Sequence, residues 1–348
     1  MNFDTAIDSG LVPDWAMERI IPLLLKRDLR GGSMSPAERE AYLEAFIADL
    51  DSQPVAVRTD DSRRQHYEVP PEFFAAVLGS ALKYSCCLWP DFGTDWRDEA
   101  ALDRAEEAML SLTEERADIR DGMRVLELGC GWGSLSLHLA SRFPRCAVTA
   151  VSHSASQKAW IDAAAAARGL GNLEVVTADM NDFRAAPGTY DRIVSVEMFE
   201  HMRNWRLLLG RAADWLKRDG AFFLHVFTVQ DLPYLYDAED PDQWMARNFF
   251  AGGMMPYPDL PSRVADRLRE DARWTVDGRH YALTLRAWLA RMDRRGKAIM
   301  PVLERTYGAD AARWRRRWRL FFLSCAVVFG YRGGSTWNVT QYRFVRAD

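Results

Sequence analysis

Cysteine is scarce in this chain and poorly spaced for cross-linking. The 348 residues hold five, Cys86, Cys87, Cys130, Cys146 and Cys325. That is an odd number without a C-x-x-C pair, which argues against a disulfide framework and against zinc-ligand spacing. No metal is expected, and a reducing cytoplasm is the expected home. An excess of positive charge is lacking too. Lys plus Arg number 45 against 49 Asp plus Glu, and the resulting net charge of −4 offers no electrostatic footprint for nucleic acid. No apolar run approaches the roughly 18 residues of a membrane span; the longest, residues 320–329, reads as a buried helix. The first residues lack the basic, apolar, small-residue order of a secretory leader. Repeats and low-complexity segments are absent. What remains, 48% apolar and 27% charged residues, is the composition of a soluble globular protein with room for one large or two medium cores.

The most informative stretch is 124–133, RVLELGCGWG. Val125, Leu126 and Leu128 make a short apolar run around Glu127, followed by three alternating glycines, Gly129, Gly131 and Gly133. A buried strand therefore feeds a glycine loop. Glycine is needed where backbone turns with positive φ, or where a ligand lies against main chain. Leu135, Leu137, Leu139 and Ala140 continue as a helix before Pro144. Strand, glycine loop and helix together open a doubly wound α/β sheet. The dinucleotide fingerprint G-x-G-x-x-G places its third glycine one residue later than here. The spacing E-x-G-x-G-x-G instead resembles the first motif of S-adenosylmethionine (SAM) dependent methyltransferases. A tight turn without a ligand is the plain alternative.

The rest of the chain is arranged around that unit. Residues 1–75 are expected to be helical: Met17, Ile20, Ile21 and Leu24 keep helical spacing, as do Tyr42, Leu43, Phe46, Ile47 and Leu50. The second of these helices opens on a capping box of Ser35, Pro36 and Glu38. Residues 58–65 read as a polar linker. HYEVPP at 66–71 and KYSCCLWP at 83–90 place aromatic, hydroxyl and thiol groups between helices, either as a cofactor wall or as core. Residues 98–116 form a charged amphipathic helix. Over 76–230, strands at 147–151, 173–178, 192–196 and 221–227 alternate with helices at 156–168 and 207–217, which implies a parallel sheet with right-handed crossovers. Residues 231–330 are expected to be a helical insertion capping the substrate site, with a strand at 274–276 and helices at 284–306 and 311–330. Residues 331–348 supply a last strand, 337–346, that completes the sheet. FFAGGMMP at 249–256 either lines an apolar pocket or joins helices. RWRRRWR at 313–319 reads as a solvated face with two buried tryptophans rather than a membrane contact.

Ligands of such sheets sit at the carboxyl ends of the strands. Glu197, Glu200 and His201 stand there, in EMFEHM. A helical turn starting at Glu197 would bring it beside Glu200 or His201 as an acid/base set. An acidic helix N-terminus explains the two glutamates but not the histidine.

The segments KYSCC, ELGCGWGSLSLHLA, SxxQK, TADM, YDRIVSVEMFEHM, FFAGGMMP, GRHYALT and FFLSCAVVFGY resemble the cyclopropane fatty acid synthase superfamily of methyltransferases. Within it the chain most resembles plant coclaurine N-methyltransferases and their relatives, over nearly its whole length. The resemblance implies a class I, Rossmann-like methyltransferase fold with SAM as cofactor and S-adenosylhomocysteine (SAH) as product. By position it puts Tyr84 and Ser85 around the cofactor, Gly129 and Gly131 against its methionine part, and Glu127 toward its amino group. It puts His153 and Gln157 at the ribose, and Asp179 and Met180 at the adenine. Ser152 and His153 stand where many methyltransferases carry an acid.

For the acceptor the resemblance implies two readings. In the N-methyltransferases Glu197, Glu200 and His201 would surround a reacting amine. The lipid-modifying members hold a bicarbonate base through residues matched by His66, Cys86, Glu200, His225 and Tyr281, with Cys325 at a second cysteine position. Methylation or cyclopropanation of an unsaturated acyl chain is therefore the alternative. Glu197, non-acidic in cyclopropane synthases, favours the amine, and so does the lack of the longer N-terminal extension of the bacterial synthases. Phe250 and Trp337 are expected over the substrate's apolar side. A SAM-binding module without catalysis is a third reading. The expected partners are a small amine or a lipid acyl chain, with a homodimer as one expectation for assembly.

Overall fold

Short runs rich in valine, isoleucine and leucine, separated by helices, give a sheet buried on both faces. The computed structural model describes residues 7–10, 12–29, 31–58, 69–240 and 243–347. His66 and most of the expected 58–65 linker lie outside the described residues. Five strands pair in parallel: β1 (Arg124–Leu128), β2 (Ala147–Ser152), β3 (Leu173–Thr177), β4 (Tyr190–Val196) and β5 (Leu216–Val229). Two short strands, β6 (Tyr234–Leu235) and β7 (Met254–Met255), pair separately. β8 (Leu268–Val276) and β9 (Trp337–Arg346) complete a seven-stranded sheet in the order β3-β2-β1-β4-β5-β9-β8, with β9 antiparallel to both neighbours. β9 is the last strand of the chain, and β8 is longer than the expected 274–276. Strand order reverses between β1 and β4, which opens a crevice at their carboxyl ends.

The helices are α1 (Asp14–Asp28), α2 (Pro36–Asp51), α3 (Pro71–Val77), α4 (Glu99–Arg116), α5 (Ser134–Arg142), α6 (Ala155–Ala167) and α7 (Trp205–Trp215). The short α8 (Trp244–Asn248) and α9 (Leu260–Val264) precede α10 (Gly278–Arg294), α11 (Gly296–Tyr307) and α12 (Ala311–Gly330). Alternate residues of β1 serve two cores. Leu126 and Leu128 pack with Leu208, Leu209 and Ala212 of α7, whereas Val125 packs with Leu110 of α4 and Leu135 and Leu139 of α5. The capping box of α2 is present: Ser35 Oγ accepts from Glu38 N at 3.3 Å and Glu38 accepts from Ser35 N at 2.8 Å.

Two expectations change. The single helix at 284–306 is two helices meeting at Arg295 and Gly296. It begins earlier because Asp277 caps it, its carboxylate accepting from Arg279 N at 2.8 Å. Two of the arginines of 313–319, Arg317 and Arg319, do not belong to a solvated face, whereas Arg313 stays 41% exposed. Arg317 pairs with Asp8 at 2.7 Å, and Arg319 pairs with Asp14 at 3.0 Å and Asp293 at 2.6 Å, so α12 is clasped by the N-terminal segment and α10. Trp318 is fully buried, and Trp314 is half-buried and stacked on Tyr307. Among the described residues no helix is long and apolar enough to cross a membrane, and no cluster of metal-ligating side chains occurs.

Candidate active site

β4 ends where Glu197 takes a left-handed backbone, φ +49°. Its N–H donates to the His225 carbonyl of β5 at 2.8 Å. Such a backbone costs a non-glycine residue of order 1 kcal/mol, and the side chain shows what holds it. The Glu197 carboxylate accepts from Cys86 N at 2.9 Å, His225 Nε2 at 3.2 Å and Tyr281 OH at 2.5 Å. The tautomer of His225 follows from its other neighbour: Gln341 Nε2 donates to His225 Nδ1 at 2.9 Å, which leaves the ring proton on Nε2 facing Glu197. Gln341 is oriented in turn by Arg116 at the end of α4, which donates to its Oε1 at 2.5 Å.

The electrostatics follow from this network. Burial opposes a charge on Glu197, but His225, Lys83 and the Cys86 N–H outweigh it and hold its pKa below the usual carboxylate value. Burial lowers the pKa of His225, keeping the ring neutral. Burial, and then the Glu197 charge, raise Tyr281 well above its ordinary pKa and push Cys325 up to about 12. The result is a buried carboxylate ion held by neutral donors.

Glu200 behaves differently. The helical turn expected from Glu197 is only a 3-10 turn, Phe199–His201, beginning after the left-handed residue. Glu200 therefore points into the core. One oxygen accepts from Phe227 N at 2.8 Å and the other is buried without a partner among the described residues. Burial, reinforced by Glu197, raises its pKa well above normal, so the carboxyl is neutral. His201 lies on the cleft wall with its ring stacked on Phe250, centroids 4.9 Å apart.

The crevice at the strand ends is partly open to solvent and spans about 1110 Å³, open solvent included. It brings together Tyr84, Ser85, Glu127, Gly129, Gly131, His153, Gln157, Asp179, Met180, Glu197 and His201. It does not include Glu200, Cys86, His225 or Tyr281, of which the last three gather behind Glu197. The two glycines have different reasons. At Gly131, φ +52°, an added Cβ would meet nothing within 4 Å, whereas at Gly129 it would lie 2.5 Å from the Met198 side chain. Gly131 thus leaves bare main chain toward the cleft, and Gly129 admits the packing of β4's exit. Glu127 is buried and accepts from Ser136 Oγ. Burial pushes its pKa up to about 7 against the pull of Ser136 and Lys83.

Two cleft-wall donors lack an acceptor among the described residues. Gln157 accepts from Ser152 Oγ at 2.6 Å, but its buried Nε2 has no partner, and neither has Trp132 Nε1. Each unpaired buried donor costs about 1–3 kcal/mol. They fit a polar ligand such as SAM that brings oxygen and nitrogen acceptors. The KYSCC and FFAGGMMP segments, open between core and ligand wall, do both. Tyr84 and Ser85 face the cleft, Cys86 and Cys87 are buried, and Phe250 reaches His201. Trp337 is buried beside Tyr331, away from the cleft lining.

Sequence reasoning passed over Lys83, Trp132, Arg116 and Gln341. Lys83 and Trp132 lie inside segments already singled out; Arg116 and Gln341 carry no local signal.

A doubly wound sheet with an added antiparallel strand, and a polar cleft at its switch point with bare glycine backbone, are the marks of a SAM-dependent methyltransferase. Residues 56–339 match the profile of the mycolic acid cyclopropane synthetase family. The chain belongs to that family. It is 36% identical to (S)-coclaurine N-methyltransferase of Thalictrum flavum subsp. glaucum over 97% of this chain and 93% of the relative. Cyclopropane-fatty-acyl-phospholipid synthase of Escherichia coli (strain K12) is 29% identical over 81% of this chain and 68% of the relative. The fold superposes on coclaurine N-methyltransferase bound to N-methylheliamine and SAH with a TM-score of 0.92, at 35% identity and covering 98% of each chain. SAM is the cofactor.

Proposed function

We propose that the enzyme methylates the nitrogen of a small amine with an apolar body. What carries this reading is the Glu197 carboxylate. Of the residues that the resemblance assigns to a bicarbonate, Glu200 accepts from Phe227 N instead, whereas Cys86 through its backbone N–H, His225 and Tyr281 all donate to this carboxylate. An anion belonging to the chain already takes those donors, and Glu197 is among the residues lining the cleft, where a cationic amine would gain from it. Phe250, stacked on His201 and in ring contact with both Phe227 and Tyr236, offers the apolar wall.

SAM supplies an electrophilic methyl group. Tyr84, Ser85, Glu127, Gly131, His153, Gln157, Asp179 and the Met180 backbone would hold it, with Gly129 shaping the loop. An alkyl amine with a lysine-like pKa is charged at neutral pH, and about three units of mismatch cost roughly 4 kcal/mol before its lone pair can attack. Glu197 attracts the ammonium form through the acceptor capacity its three donors leave. His201 takes the proton. Glu200, neutral and facing inward, anchors the Phe227 backbone and the wall behind His201. The five free cysteines accord with a reducing compartment.

The experiment is incubation with labelled SAM, a pool of tetrahydroisoquinoline amines and unsaturated phospholipid vesicles, with and without bicarbonate, followed by mass analysis. Methylated amine, indifferent to bicarbonate, supports the reading. Bicarbonate-dependent modification of acyl chains, with every amine unchanged, overturns it in favour of lipid chemistry.

A further inference from the structure

Lys83 is the one lysine or arginine among the described residues lining the cleft, whose acidic residues are Glu127, Asp179 and Glu197. It is 2% exposed. Its Nζ donates to Ser85 Oγ at 2.5 Å and to the Cys86 carbonyl at 2.8 Å, which uses two of the three N–H groups of an ammonium. The turn that carries it is braced by Glu106 of α4, which accepts from Gly79 N at 2.9 Å, Ala81 N at 2.8 Å and Lys83 N at 3.3 Å. The ammonium is therefore held at a set place on the wall.

A fixed cation is a liability in a cleft that receives SAM. The cofactor carries a permanent positive charge on sulfur and a second on its α-amino group, and both repel a lysine. The one negative group it brings is its α-carboxylate. That carboxylate shares a carbon with the α-ammonium, so a zwitterion-binding wall needs one anion and one cation close together. Glu127 and Lys83 meet this need, and they are close enough for the Lys83 charge to act on the Glu127 carboxyl.

We propose that Lys83 binds the α-carboxylate of SAM through its third N–H, paired with Glu127 at the α-ammonium. The assignment concerns the cofactor and is independent of which acceptor is methylated. The competing role is that of a staple, with Lys83 only closing the 83–86 turn that presents Cys86 N–H to Glu197. The two roles differ in which ligands they affect.

The test is calorimetric binding of the full chain to SAM and to decarboxylated SAM, which lacks only the carboxylate. The unsubstituted protein should favour SAM by about 10- to 100-fold, the scale of one charge-assisted hydrogen bond. Lys83→Met should weaken SAM by that factor and leave decarboxylated SAM within about twofold, so that the preference collapses. Equal affinity of the unsubstituted protein for the two ligands overturns the proposal without any variant. Equal weakening of both ligands by Lys83→Met also overturns it and assigns the staple role. Circular dichroism checks the fold, and Lys83→Gln replaces Lys83→Met should that variant not fold. A SAM preference that survives either folded variant places the carboxylate elsewhere.

Discussion

Binding of SAM should expel a proton from Glu127. The side chain is buried in β1, and burial pushes its pKa up to about 7. At pH 6.5 the protonated and ionised forms of such a carboxyl stand at about 3 to 1, since 10 to the power 0.5 is about 3, so roughly three-quarters of the molecules carry the proton. A cation arriving at about 4 Å in an effective dielectric of about 20 favours the ionised form by about 4 kcal/mol, or roughly three pKa units. That lowers the carboxyl to about 4, and nearly all of the bound proton leaves. Titration calorimetry at pH 6.5 in buffers of different ionisation enthalpy should therefore give a release of roughly 0.7 proton per SAM bound. The release should grow toward pH 5.5, because the free carboxyl is then more fully protonated. Glu106 also titrates at about 7, but it is turned to the 79–83 turn, so Glu127→Gln should remove nearly all of the release. No release at pH 6.5, net uptake, or an unchanged release in Glu127→Gln would refute the reasoning.

Three further outcomes can be checked at the bench. Glu197→Gln removes the charge and presents amide hydrogens to donors from Cys86, His225 and Tyr281; kcat/KM for a cationic amine should fall by about 10²- to 10³-fold, with the SAM Kd little changed in calorimetry. His201→Ala should lower turnover by about 10²-fold or more, again without loss of SAM binding, and a near-normal rate would move the base to Glu197. Gly131→Val forces a branched side chain onto φ +52° and into the cleft, so SAM binding should vanish in calorimetry; retained micromolar binding would show that the ligand lies elsewhere.

What the sequence by itself determined is whatever depends on neighbours along the chain. Positive φ is a local property of backbone, so the glycines of 129–133 mark the strand-to-helix turn without any tertiary knowledge, and all three adopt it. The Ser35–Glu38 capping box and the alternation of apolar strands with helices are local in the same sense. The cleft residues that follow strand ends were legible for that reason. The helical spacing of Glu197, Glu200 and His201 pointed the other way from the structure, because one left-handed residue takes Glu197 out of any helix and turns Glu200 into the core. Only the tertiary structure decided what surrounds Glu197. Its donors lie 111, 28 and 84 positions away, on the loop after α3, on β5 and on α10. Gln341 orients His225 from 116 positions away on β9, and nothing in the spacing of a lone glutamine announces it. The charge state of the site is set by this long-range packing, since burial and the converging donors, rather than residue type, keep Glu197 ionised and Glu200 neutral.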